Sequence, residues 1–139
     1  GGDRKPGIMP EGGEGQHPLV GYKAVDLRIA GRTFVEVMLD RVRASGCFSP
    51  VYLAGPARVY AQFVGHEAII DTDGSFGQNI EVSLEKVRRA HPGQPVGFLT
   101  CDVLPEVEAL QRLMADYATH IPCDLWFPFA RACFSKVSR

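Results

Sequence analysis

The residues best suited to chemistry are an aspartate after an apolar run, a glycine-rich entry with two cations, and an acidic turn ahead of a helix. Asp102 follows Val96-Gly97-Phe98-Leu99-Thr100-Cys101 and precedes Val103-Leu104-Pro105. In open α/β sheets, ligands bind beyond the carboxyl ends of the strands. A carboxylate there suits a divalent metal shared with substrate phosphates, because Mg²⁺ takes one or two carboxylates plus phosphate oxygens. The same residue could instead cap a helix opening near Pro105. Spacing alone leaves both roles open.

The second candidate is Gly1-Gly2-Asp3-Arg4-Lys5-Pro6-Gly7. Glycines let backbone N–H groups approach phosphate oxygens, and Arg4 with Lys5 would neutralise their charge. The stretch matches neither the dinucleotide fingerprint nor the P-loop, and glycine-rich termini are commonly just flexible. Lys23 is an isolated cation where this loop gives way to the first strand, and without context it reads as a surface lysine. Asp73-Gly74-Ser75-Phe76-Gly77-Gln78-Asn79 precedes a helix whose positive end could face a nucleotide or sugar. Composition alone favours an ordinary capped turn there.

Other chemistries have less support. No Ser-His-Asp or Cys-His relay is readable from residue order. Cys47, Cys101, Cys123 and Cys133 contain no C-x-x-C pair, and the four histidines are equally scattered, so neither a zinc site nor a disulfide framework is expected. All four read as reduced thiols, most of them buried. Arg88-Arg89 suits the negative end of a helix, and Trp126, beside Phe127 and Phe129, suits a core or interface.

These groups must be positioned by a chain of 139 residues, enough for one domain with a real core. With 15 Lys+Arg against 16 Asp+Glu, it lacks the basic surplus of nucleic-acid or anionic-membrane binders. No window approaches the roughly 20 apolar residues of a membrane span. A cytoplasmic location, with no nucleic-acid or membrane partner, is expected.

Residues 1–22 read as a flexible loop, dense in glycine and proline. Val25–Ile29 alternates with period two and predicts a strand ending at Gly31. Thr33 and Glu36 spell a capping box for a helix with Phe34, Val37, Met38, Leu39 and Val42 on its apolar face, ending near Gly46. Val51–Ala54 predicts a strand, and Pro56 opens a helix through Phe63. Ala68–Ile70 predicts another strand. Asn79 is expected to cap a helix from Ile80 to Ala90, with Ile80, Val82, Leu84 and Val87 apolar, stopped by His91-Pro92-Gly93. Val96–Cys101 predicts a strand buried on both faces. Pro105 opens a helix carrying Val107, Leu110, Leu113, Met114 and Tyr117, and Asp124–Ala130 predicts a last strand. Strands alternating with helices imply an α/β domain with a mostly parallel sheet.

Taken in order, these pieces resemble the nucleotidyltransferases of the molybdenum-cofactor guanylyltransferase-like type. Gly1-Gly2, Arg4, Lys23 and Gly31-Arg32-Thr33-Phe34-Val35 stand where that family has L-A-G-G, a basic residue, a lysine and a G-[KR]-[PT]-[LF]-[IV] turn. Phe98 to Pro105 matches the family's strand ending in D-[LMV]-P with one extra residue, and Asp124 to Pro128 looks like its A-D-[IV]-x-x-P strand. The resemblance covers essentially the whole chain, 1–139, as a single domain. It implies a three-layer, Rossmann-like sheet with helices on both faces, of glycosyltransferase-A type.

The same resemblance implies that Gly1, Gly2 and Arg4 hold a triphosphate, Lys23 assists phosphate binding, Asp102 coordinates Mg²⁺, and Asp73 and Asn79 lie near the base or ribose. Two departures stand out. The loop from Gly2 to Lys23 is longer than the family's, and a second metal carboxylate would lie beyond Arg139. The chain is therefore expected to be a piece of a larger protein, truncated at both ends and missing the sheet's first strand.

The expected activity is Mg²⁺-dependent transfer of a nucleotidyl group from an NTP to a small anionic, phosphorylated acceptor, with release of pyrophosphate. Two alternatives compete. One is a nucleotide-sugar glycosyltransferase using Asp71-Thr72-Asp73 as a D-x-D motif. The other is a non-catalytic nucleotide-binding or interaction domain on the same scaffold.

Overall fold

The computed structural model describes residues 26–101, 103–126 and 128. Two short strands open it. β1 (Arg28–Ile29) and β2 (Arg32–Thr33) pair antiparallel, Arg28 opposite Thr33 and Ile29 opposite Arg32. The two residues between them, Ala30 and Gly31, both have positive φ, 49° and 83°. That is the conformation a two-residue hairpin needs for its twist to match the flanking strands. The strand expected over Val25–Ile29 is thus shorter within the described residues, and it turns back on the chain instead of entering a parallel sheet.

α1 (Phe34–Ala44) follows, and its start is the capping box that the sequence spells. The Glu36 N–H donates to Thr33 Oγ1 at 3.2 Å, while the Thr33 N–H and hydroxyl both donate to Glu36 Oε2 at 2.7 Å. The buried face is Val35, Met38, Leu39 and Val42, at the i, i+3, i+4, i+7 spacing of one helical stripe. Phe34 and Val37, expected on that face, are only half-buried, and Val35 takes the central place.

The next unit is strand, helix, strand. β3 (Leu53–Gly55) and β4 (Ile69–Asp71) are parallel, with Leu53 facing Ile69, Ala54 facing Ile70 and Gly55 facing Asp71. Parallel neighbours cannot be joined by a tight turn, and α2 (Ala57–Val64) with a single 3-10 turn (His66–Ala68) makes the crossover. Pro56 stands at the cap of α2 and is fully buried. One core cluster joins the stripe of α1 to Leu53, Tyr60, Ile69 and Leu110.

α3 (Phe76–Ala90) begins four residues earlier than expected. Its cap is Ser75, in a second capping box with Gln78, so Asn79 lies inside the first turn instead of before it. Val82 is exposed, and the buried position of this helix is Ser83, whose hydroxyl donates to the Asn79 carbonyl at 2.6 Å. Lys86 crosses to the sheet and donates to the Ile69 carbonyl at 2.8 Å.

Among the described residues, two expected strands are not seen. Residues 96–101 have no strand, and Phe98 and Leu99 are exposed at 52% and 42%. A strand is stable only when a neighbour pairs its backbone groups, and among the described residues no strand lies beside this run. Only Cys101, with Leu104 beyond it, packs against the core. Of the strand expected over Asp124–Ala130, residues 124–126 and 128 are irregular, and Phe127, Phe129 and Ala130 lie outside the described residues. Trp126 packs on Tyr117 and His120, with ring centroids 5.5 and 6.3 Å away.

α4 (Val107–Ala118) is capped at Glu106 and docks Leu110 into the core. Arg41 of α1 holds its entry, donating to the Pro105 carbonyl at 3.2 Å and to Glu106 Oε1 at 2.7 Å. Cys47 and Cys101 are half-buried and Cys123 is exposed, so the described cysteines are less buried than expected, and Cys133 lies outside the described residues.

Candidate functional site

The parallel register determines where a site can be built. Gly55 and Asp71 are partners at the carboxyl ends of β3 and β4, and each is followed within a few residues by a helix. The amino ends of α2 and α3 therefore open on the same end of the strand pair, where helix dipoles favour negative charge.

The side chains at this end form a connected polar set. Pro56 offers α2 no side-chain cap, and Asp71 supplies one from the neighbouring strand: its Oδ1 accepts the Ala57 N–H at 2.7 Å. The Thr72 N–H extends the ladder to the Gly55 carbonyl at 3.3 Å. Asn79 reaches back over the turn, its Oδ1 accepting the Thr72 hydroxyl at 2.8 Å and the Gly74 N–H at 2.9 Å. The Ser75 N–H donates to Gln78 Oε1 at 2.8 Å. Arg58, in the first turn of α2, approaches Asp73 at 3.7 Å, with both side chains largely exposed.

Of the residues expected to act, the structure brings Asp73 and Asn79 into one turn beyond the carboxyl end of β4. Gly1, Gly2, Arg4, Lys23 and Asp102 lie outside the described residues. Asn79 has a different task from the one expected. It closes the turn from inside the helix, and Ser75 performs the capping. The D-x-D spelling of Asp71-Thr72-Asp73 divides in the fold, since Asp71 serves Ala57 while Asp73 faces Arg58.

Among the described residues, no group of three or more His, Cys, Asp or Glu side chains is gathered to hold a metal ion. Two surface grooves among the described residues lie elsewhere. One of about 450 Å³ is lined by Val82, Glu85, Lys86, Arg89 and Ala90, another of about 390 Å³ by Pro95, Tyr117, Ile121, Pro122, Cys123 and Asp124. Both are shallow and neither includes a residue of the Asp71–Asn79 turn. Arg89 pairs with Glu85 at 2.6 Å in the last turns of α3, as expected for a cation at a helix carboxyl end.

Sequence reasoning missed Arg58 and the capping role of Asp71. Ser75 with Gln78 was a readable signal, the same capping-box spelling as Thr33 with Glu36. No local signal links Arg58 to Asp73, because only the parallel register brings them together. Among the described residues, no helix is long and apolar enough to cross a membrane. Comparison with family models, curated proteins and solved structures finds no match to this chain.

Proposed function

We propose that this chain is a Mg²⁺-dependent nucleotidyltransferase of the three-layer α/β type, moving a nucleotidyl group from an NTP to a small anionic acceptor. In that reaction an acceptor oxygen attacks the α-phosphorus in line, the new O–P bond forms, and the bond to the bridging oxygen breaks to release pyrophosphate. The observation that supports it is the convergence of the α2 and α3 amino ends at the carboxyl end of a parallel strand pair. Such an end attracts anions through its dipoles and first-turn N–H groups. Asp73 and Asn79 at that end are suited to a ribose hydroxyl or a base edge, and Arg58 to a phosphate. Arg4, Lys23, Gly1 and Gly2 would complete the triphosphate cradle, and Asp102 would carry the metal.

A second reading is favoured by a specific observation. The polar groups of the turn already satisfy one another: Asp71 with Ala57, Asn79 with Thr72 and Gly74, Asp73 with Arg58. That is the arrangement of a structural turn, and it suits a non-catalytic nucleotide-binding or interaction domain. The glycosyltransferase reading has less support, because the two carboxylates of its D-x-D motif serve different partners.

Calorimetry with each NTP, with and without Mg²⁺, together with pyrophosphate release against candidate acceptors, separates these readings. Nucleotidyl transfer requires Mg²⁺-dependent NTP binding and pyrophosphate release, both lost in Asp102→Ala with circular dichroism unchanged. Unaltered turnover in that variant overturns the assignment. Binding without any turnover supports the non-catalytic domain.

A further inference from the structure

We draw no further inference here: the strongest candidate, the exposed apolar patch of Phe98, Leu99 and Val103 on the irregular segment between α3 and α4, carries nothing because nothing in the structure shows what covers it.

Discussion

The carboxylate of Asp71 caps a helix that it precedes by no sequence path: its Oδ1 accepts the Ala57 N–H, 14 residues upstream, at 2.7 Å. The parallel pairing makes this possible, since Gly55 faces Asp71 and Ala57 begins the helix just beyond Gly55. A buried proline at the cap position has no side-chain oxygen to offer, so the neighbouring strand provides it. The bond therefore ties the crossover helix to the strand it leads to.

Removing that acceptor has the cost of losing a helix cap. Asp71→Ala is expected to lower the unfolding free energy by about 0.5–2 kcal/mol, and Asp71→Asn, which keeps the Oδ1, by only a few tenths. Urea denaturation measures both. A metal-ligating Asp71 would differ in activity and not in stability: the Asn variant would melt close to the parent protein but lose its Mg²⁺-dependent turnover.

Asn79 joins the turn to the helix through one oxygen that accepts two donors, the Thr72 hydroxyl and the Gly74 N–H. Asn79→Ala leaves both without that acceptor, and the expected loss is about 1–2 kcal/mol. Asn79→Asp retains the oxygen and is expected to retain most of the stability. If the residue also meets a nucleotide through its amide N–H₂, Asn79→Asp loses NTP affinity while melting close to the parent protein. Calorimetry and a thermal melt on the same variant read the two roles separately.

The first helix adds a pH dependence. Hydrogen bonds from the Thr33 side chain and then the Thr33 backbone hold the Glu36 carboxyl below the usual carboxylate range. A group whose folded value is depressed contributes stability that is present above its unfolded value and lost as pH falls through the folded one. Stability should therefore decline on acidification from the ordinary glutamate range downward. Glu36→Gln keeps an acceptor for Thr33 but cannot titrate, so its stability profile should be flatter over that window. Parallel profiles in denaturant melts across the acid range would refute the linkage.

What the sequence made legible divides along one physical line. The capping box Thr33–Glu36, the Met38, Leu39 and Val42 part of the α1 stripe, and the punctuation at Gly46 and Pro56 are local, and each appears in the fold within a few residues. Val35, the most buried member of that stripe, is not among the residues expected there. The start of α3 is equally local, spelled by Ser75 and Gln78, and differs from the expected one. The expected cap at Asn79 stands just ahead of the apolar run Ile80, Val82, Leu84 and Val87, whereas the helix starts at Phe76 behind the Ser75–Gln78 capping box, with Phe76 itself 71% exposed. Register and strand pairing are non-local: nothing within Val96–Cys101 states whether a partner lies beside it. The candidate site was legible only in its turn. Arg58 and Asp71 join it through the facing of Gly55 and Asp71.

The hairpin carries a conformational cost at one residue. Ala30 has φ 49°, a left-handed conformation that costs a non-glycine residue roughly 1–2 kcal/mol, and Asn-Gly is the preferred pair for this turn. Ala30→Asn should therefore stabilise the protein by about 0.5–1 kcal/mol, since it adopts the native geometry with less strain. The gain should appear as a rise in the urea midpoint with no change in slope. A loss would mean that the turn is built differently.

Two leucines distinguish the sheet expected from sequence from the one observed. Leu53 lies on β3, 3% exposed inside the core cluster, whereas Leu99 is 42% exposed on the irregular segment. Truncating a buried leucine costs about 2–5 kcal/mol through lost transfer energy and the cavity left behind. Truncating one this exposed forfeits only part of the transfer energy and leaves no enclosed cavity. Leu53→Ala should accordingly destabilise by about 2–5 kcal/mol, and Leu99→Ala by less than about 1 kcal/mol. The comparison bears directly on the three-layer reading. If 96–101 pairs as a central strand in the working protein, the strand is covered on both faces and Leu99 is enclosed, so its truncation costs as much as that of Leu53. Equal losses would place 96–101 in the sheet and put Asp102 at a strand's carboxyl end. Unequal losses would leave 96–101 outside the sheet and the β3–β4 pair as the organising element among the described residues.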